Sequence, residues 1–251
     1  MAEDGPISRM MEEATARSWH RAARRAADAD VSFLRQARVR GRRLQRAVER
    51  FLRVADRRIA AETAAMPRVE VPGTDWAWRP AAWRAPRATS ACVEPQPGAR
   101  LAEDLALFHD CPAAEIAVVQ DCAGGAAPCA LAVEVFSFAG RYLSLALDLP
   151  DAAAQGLRRR HVVRAQFALA LEEPLEVYAR LNIRHGPNTE QILREVPVAE
   201  APAVVEFDLA YSGFDEKRVD RLWLDLIFEQ PAMNRIALGD VVLSRHPRAA
   251  L

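Results

Sequence analysis

The sequence predicts a mainly β protein, an antiparallel β-sandwich of the jelly-roll type preceded by an N-terminal α-helical arm. Three observations carry this. The first stretch of the chain repeats its apolar residues with a helical period. From about Leu105 onward the period changes to two. No helix-length segment separates the alternating stretches, so crossovers for parallel pairing are lacking and antiparallel strands follow.

The arm comes first. No proline interrupts the chain between Pro6 and Pro67, and Gly41 is the one interior weak point for a helix between Ser8 and Ala65. Leu34, Ala37, Gly41, Leu44, Val48, Phe51 and Ala55 recur at alternating steps of three and four, which makes one apolar stripe. Arg35, Arg38, Arg42, Arg46, Arg53 and Arg57 run opposite it. Asp28 and Asp30 ahead of Ser32 predict a break and a fresh helix start, giving helices near 9–27 and 32–65. The stripe lasts about three heptads, the lower limit for a coiled coil. Three uses stay open for it: packing on the chain's own body, self-association or a protein partner through helices 9–65, and a nucleic-acid or membrane surface.

Composition is that of an ordinary globular chain, 51% hydrophobic and 27% charged, so a packed fold is expected rather than disorder. The net charge of zero hides an asymmetry: residues 1–68 carry +7 and the remainder −7. Lys217 is the only lysine and alanine abounds, so the arginine content reads as base composition, and nucleic acid is not expected as a partner. The opening Met-Ala-Glu-Asp-Gly-Pro lacks a basic and an apolar leader region, and no run of about 18 apolar residues occurs, which predicts a cytoplasmic protein with no membrane span.

The sequence divides into a basic helical arm (1–67), a Pro/Trp-rich connecting segment (68–100) and the sandwich domain (101–251). In the connector, Trp76, Trp78 and Trp83 crowd into GTDWAWRPAAW. They are expected to clamp this irregular stretch onto the body as a satellite cluster, with a sugar-stacking platform as the alternative. In the sandwich, Leu143 to Leu149, Val163 to Leu171, Leu175 to Ile183, Val205 to Leu209 and Leu222 to Phe228 each alternate apolar with polar residues, and a last strand lies near Arg235 to Arg245. Turn signals such as Glu173-Pro174, Gly186-Pro187 and Gln230-Pro231 separate them, predicting eight to ten strands.

The outward positions of these strands point to a ligand. Tyr142, Asp148, Arg164, Gln166, Tyr178, Arg180, Asn182, Arg184, Trp223 and Asp225 combine rigid aromatics with planar hydrogen-bonding groups. Aromatic faces suit the apolar side of a pyranose while Arg, Asn and Asp bond its hydroxyls. The turn after Arg184 adds His185, Asn188 and Glu190, so the candidate ligand-binding set is Tyr178, Arg180, Asn182, Arg184, His185, Asn188, Glu190, Trp223 and Asp225. Two plainer readings stand beside it: cross-strand Arg–Asp pairs that satisfy one another, and a turn tied by side-chain bonds to backbone.

Nothing marks an active site. There is no GxxxxGK[ST] loop, GxGxxG turn, GxSxG elbow, HExxH helix or EF-hand spacing. Carboxylate pairs such as Asp208 and Asp225 exist in any β protein, so no catalytic residue and no cofactor is assigned. Cys92, Cys111, Cys122 and Cys129 are expected to be reduced thiols. A zinc site can be drawn from His109, Cys111, Cys122 and Cys129, but the close-spaced ligand pairs of such sites are missing and no metal is expected.

The segments FHDC (Phe108 to Cys111), RLNIRHGPNTEQI (Arg180 to Ile192), FDLAY (Phe207 to Tyr211) and WLDLIFEQPAMNRI (Trp223 to Ile236) resemble those of an alphaproteobacterial family of unknown function, with the likeness extending over the arm and DWAWRP. The closing strands also resemble those of galactose-binding-like jelly rolls, the fold of many carbohydrate-binding modules. That resemblance implies carbohydrate recognition without catalysis. An interaction protein assembled through the arm and a carbohydrate-active hydrolase are the alternatives.

Overall fold

The computed structural model of the chain describes residues 6–63, 67, 69, 71–122 and 125–248. It falls into two compact units divided after Val54. The first holds α1 (Pro6–Arg24) and most of α2 (Val31–Thr63), whose last turns fall beyond Val54. The break comes where the aspartates predict it: Asp30 caps α2, its carboxylate accepting from the Ser32 N–H at 2.7 Å. Gly41 is more than a weak point. A Cβ there would meet the Trp19 ring at 3.2 Å, so the glycine lets α1 pack closely on α2. Farther along α2 the apolar stripe stays open, with Val48 47% and Phe51 70% exposed.

In the second unit the chain runs through β1 (Trp76–Trp78), a short helix α3 (Ala81–Arg84), β2 (Ala91–Val93), β3 (Ala99–Ala102), β4 (Leu105–His109), β5 (Glu115–Asp121), β6 (Ala130–Ser137) and β7 (Tyr142–Asp148). It continues through a short helix α4 (Asp151–Ala154), β8 (His161–Leu171), β9 (Val177–His185), β10 (Asn188–Glu195), β11 (Ala203–Asp208), β12 (Val219–Glu229) and β13 (Asn234–Pro247). Every pairing is antiparallel. One sheet has the order β11-β8-β13-β6-β5-β2, with β1 added beside β13, and the other the order β10-β9-β12-β7-β4-β3. The protein is therefore mainly β, a two-sheet jelly-roll sandwich with an N-terminal helical arm. Val177, Ala179, Leu181 and Ile183 of β9 and Leu222, Leu224, Leu226 and Phe228 of β12 point into the core, opposite Phe167, Phe207, Leu238 and Leu243 of the facing sheet.

The Pro/Trp-rich stretch is woven into this body. Trp76 and Trp78 pair with Arg245 and Leu243. Trp83 is wholly buried, its indole N–H donating to the Leu238 carbonyl at 2.9 Å. The clamp reading holds for Trp83, which no sugar could reach. Opposite Trp76 on β13, buried Arg245 gathers four acceptors. Its Nε and Nη2 donate to the Asp75 carboxylate at 2.9 and 3.2 Å, and its Nη1 donates to the Ala153 and Gln155 carbonyls, each at 2.9 Å.

The cysteines correct an expectation. Cys122 and Cys129 form a disulfide, while Cys92 and Cys111 are free. The reason is register: Asp121 pairs with Ala130 across β5 and β6, so the next residues outward face each other. Such bonds are rare in a reducing cytoplasm, the compartment expected from the sequence. No helix among the described residues is long and apolar enough to cross a membrane.

Several titrating groups tie this fold to pH. Burial, and then the charge of Arg245, hold the His161 imidazole below its ordinary 6.5, against the pull of Asp75. The unfolded chain then binds the proton better, so His161 contributes full stability above about pH 6.5 and subtracts from it as pH falls. Asp110 is held below the usual carboxylate range by the backbone N–H groups of Tyr142 and Arg141, and Asp220 by Arg184. Their stabilisation is present above the unfolded value of 3.8 and is lost as pH drops through their folded values. Asp104, raised by burial, works in the opposite sense. The urea midpoint is expected to fall between about pH 7 and pH 5 and again below about pH 4. In a His161→Gln variant the first step should vanish; its persistence would assign that step elsewhere.

Candidate functional site

Strand alternation puts Tyr178, Arg180, Asn182 and Arg184 of β9 on the outer face of the second sheet. Their cross-strand partners on β12 are Ile227, Asp225, Trp223 and Arg221 in that order. On the other side of β12, Trp223 lies opposite Asp148, Asp225 opposite Ala146 and Ile227 opposite Ser144, all on β7. Phe108 of β4 stands beside Ser144 and Arg100 of β3 beside Ala106. Small side chains at Ser144 and Ala146 leave a trough between the larger ones. It is a cleft of about 680 Å³ with Ser144, Ala146, Asp225 and Ile227 on its floor. Phe108 and Tyr142 flank one end; Trp223, Arg221 and Asp148 mark the other, with Arg100 and Arg180 on the sides.

A chain of hydrogen bonds fixes the floor. Gln191 Nε2 donates to Asn182 Oδ1 at 2.9 Å, Asn182 Nδ2 donates to Asp225 Oδ2 at 3.0 Å, and Arg180 donates to the same oxygen through Nε (3.0 Å) and Nη2 (2.8 Å). At the other end Asp148 is held between Arg221, through Nη2, and Arg100, through Nη1 at 3.0 Å. Partial burial pushes the Asp148 carboxyl up, but the bonds and charges of Arg221 and Arg100 outweigh it, so it stays below the usual carboxylate range. The Arg221 guanidinium also lies 5.4 Å from the centre of the Trp223 ring. Held on strands and bonded to neighbours, these groups are fixed in place.

Of the nine residues picked out by sequence, the structure brings Arg180, Trp223 and Asp225 together in the cleft lining. Tyr178 lies just beside it, its hydroxyl donating to Glu176 at 3.0 Å. Asn182 shares that face but is wholly buried beneath its neighbours, where its amide bonds Asp225. Arg184 is paired with Asp220 at 3.0 Å and lies outside the cleft lining. His185, Asn188 and Glu190 lie outside the cleft lining, at the turn. His185 Nδ1 accepts from the Asp215 N–H at 3.2 Å and its ring packs edge-on against Phe214. Glu190 accepts from the Gly213 N–H at 3.0 Å, and Asn188 pairs with His185 at the hairpin end. Gly186, with φ of 60°, lets the Arg218 guanidinium lie where a Cβ would stand. The turn is tied down, as the plainer reading has it.

Arg100, Phe108, Ser144, Ala146, Arg221 and Ile227 complete the lining without having been singled out. Arg221 could have been found, because it shares the parity of Trp223 and Asp225. Asp208, paired on paper with Asp225, belongs to the other sheet, where it accepts from the Ala210 N–H at 3.0 Å. The zinc set is dispersed as well. His109 Nε2 bonds the Pro95 carbonyl at 3.0 Å, Cys111 Sγ accepts from the Ala139 N–H, and the other two cysteines are consumed by their disulfide. No group of three or more metal-ligating side chains occurs among the described residues.

Fold and cleft together define a two-sheet β-sandwich with an open, aromatic- and guanidinium-lined trough across one face. The chain belongs to the family of unknown function DUF6478, which it matches over residues 1–251. Among solved structures it is similar to the enzymatically active domain of bacteriophage CBA120 tailspike protein 4, with 8% identity and a TM-score of 0.39, covering 56% of this chain and 19% of the tailspike chain. It is also similar to the family 11 carbohydrate-binding module of Clostridium thermocellum, with 10% identity and a TM-score of 0.38 over 62% of this chain and 96% of the module. A third is the C-terminal family 22 carbohydrate-binding module of Clostridium thermocellum Xyn10B, at 7% identity and a TM-score of 0.35, covering 73% of this chain and all of that one. No curated protein matches the chain.

Proposed function

We propose that this protein is a non-catalytic binding module that holds an oligosaccharide in the outer-face cleft of the second sheet. The observation that carries the reading is the composition of that cleft: Phe108, Tyr142 and Trp223 around a floor of hydrogen-bonding groups fixed by their own network. Its length runs along the seven residues of β7 (Tyr142–Asp148) and so about 20 Å at the rise of a strand, which suits several sugar units rather than one. Catalysis is disfavoured by the state of the carboxylates. Asp148 is clasped by two arginines and held ionised, which leaves it a poor proton donor, and Asp225 is tied to Arg180 and Asn182.

Titration with oligosaccharides should raise the unfolding temperature in a dose-dependent manner, because a ligand of the native state stabilises it. Trp223→Ala should abolish most of that rise, losing about 2 kcal/mol or more of binding as buried aromatic anchors do. A full-sized rise in a folded Trp223→Ala variant would move the site away from this cleft.

A second reading rests on the arm. Val48, Phe51 and Leu52 leave an apolar strip of α2 open within its own unit, which suits assembly with a second copy or a helical partner. A Phe51→Glu, Leu52→Glu double variant should then lower the oligomeric state seen in sedimentation velocity. A wild-type chain that already sediments as a monomer at high concentration would discard self-association.

A further inference from the structure

We infer that the cleft selects acidic glycans, sugars bearing a carboxylate or a sulfate or phosphate ester, over neutral ones; this rests on the reading of the cleft as a sugar site. The argument comes from which charges are spent and which are open. Three guanidiniums, of Arg100, Arg180 and Arg221, line the trough with two carboxylates, of Asp148 and Asp225. The arginine side chains are 53%, 38% and 48% exposed, whereas Asp148 is 31% and Asp225 only 9% exposed. Asp148 is already bonded by two arginines, and one oxygen of Asp225 takes three donors. Each arginine keeps capacity. Arg221 spends only Nη2 on Asp148, and Arg180 spends Nε and Nη2 on Asp225. Arg100 gives Nη1 to Asp148 and Nη2 to the Glu103 carbonyl. The hydrogen-bonding capacity left for a ligand is therefore rich in donors and positive by one charge.

A neutral sugar hydroxyl accepts from these N–H groups but also brings a donor of its own and no charge, so it complements a donor-rich, positive surface less fully. A carboxylate or an ester oxyanion supplies acceptors only, in the planar or clustered geometry that a guanidinium fork matches. The cleft is also graded along its length. Glu176, Glu195 and Glu229 surround Tyr178 at one end, while Arg100 and Arg221 stand at the other, where the Arg184–Asp220 pair is neutral. That places the anionic substituent over Arg100 and Arg221, beside Trp223, with the rest of the chain extending toward Phe108 and Tyr142.

The test is a glycan microarray carrying neutral, uronate-bearing, sulfated and phosphorylated oligosaccharides, probed with the full chain and followed by calorimetry on the best binder and its neutral counterpart. The expected result is binding confined to acidic glycans, at least tenfold tighter than to the neutral counterpart and weakening with salt. Arg221→Gln and Arg100→Gln should each lose about tenfold on the acidic ligand, and each leaves Asp148 its other arginine, so the fold is retained. Which acidic class binds separates carboxylate from ester recognition. Binding to neutral glycans with equal or greater affinity would overturn this inference and leave the sugar site standing. Acidic binding unchanged in both variants would also overturn it, assigning the signal to the basic arm. No binding to any glycan would overturn the inference and the sugar reading together.

Discussion

Trp83→Ala is expected to lower the free energy of unfolding by about 4 kcal/mol, the range seen when a large aromatic is removed from a packed core. Trp83 is the largest wholly buried side chain, and it sits on a four-residue helix that could not hold its shape alone. Its removal opens a void between α3, β6 and β13 and leaves the Leu238 carbonyl without its indole partner. Trp83→Phe keeps most of the ring and loses the bond, so it should cost less, about 1–3 kcal/mol for a buried acceptor left unpaired. Urea unfolding followed by circular dichroism measures both. A loss below about 1 kcal/mol for Trp83→Ala would mean that residues 76–84 unfold independently of the sandwich.

Long strands announce themselves: β9 and β12 alternate cleanly because one face is core and the other is not, so the parity of Arg180, Trp223 and Asp225 was legible. Parity gives a face and not a depth. Asn182 has the parity of a ligand contact, yet Gln191 and Trp223 on the neighbouring strands cover it, and which strands are neighbours is a matter of topology. Arg100 and Phe108 were illegible for that reason: β3 and β4 are short, β4 is buried at four of its five positions, and both reach the cleft only because β7 carries them next to β12. The disulfide was hidden likewise. A seven-residue separation between Cys122 and Cys129 says nothing until the hairpin register sets them opposite each other. Polar residues at the Gly186 turn looked like a site because turn chemistry and ligand chemistry use the same side chains.

Arg245→Met is expected to cost about 3–5 kcal/mol, the loss associated with removing one partner from a buried charged network. Methionine fills much of the same space, so the effect isolates the four hydrogen bonds rather than a void. Those bonds fasten two separate pieces onto β13: Asp75 ahead of β1, and the Ala153 and Gln155 carbonyls around α4. Asp75 is 43% exposed and can regain water, whereas the two carbonyls facing the arginine cannot do so as readily, so they dominate the loss. Asp75→Asn, which keeps an acceptor for Arg245, should be milder. The variant also carries its own signature. Arg245 is one of the charges that hold the His161 imidazole low, and Asp75 lies 4.0 Å from His161 Nε2. With the guanidinium gone, protonated His161 gains Asp75 as a partner without the opposing charge, so the loss of stability on acidification below about pH 6.5 should shrink in Arg245→Met. Equal slopes in variant and wild type would show that the charge of Arg245 does not set the histidine, and that Arg245 acts on the fold only through its hydrogen bonds.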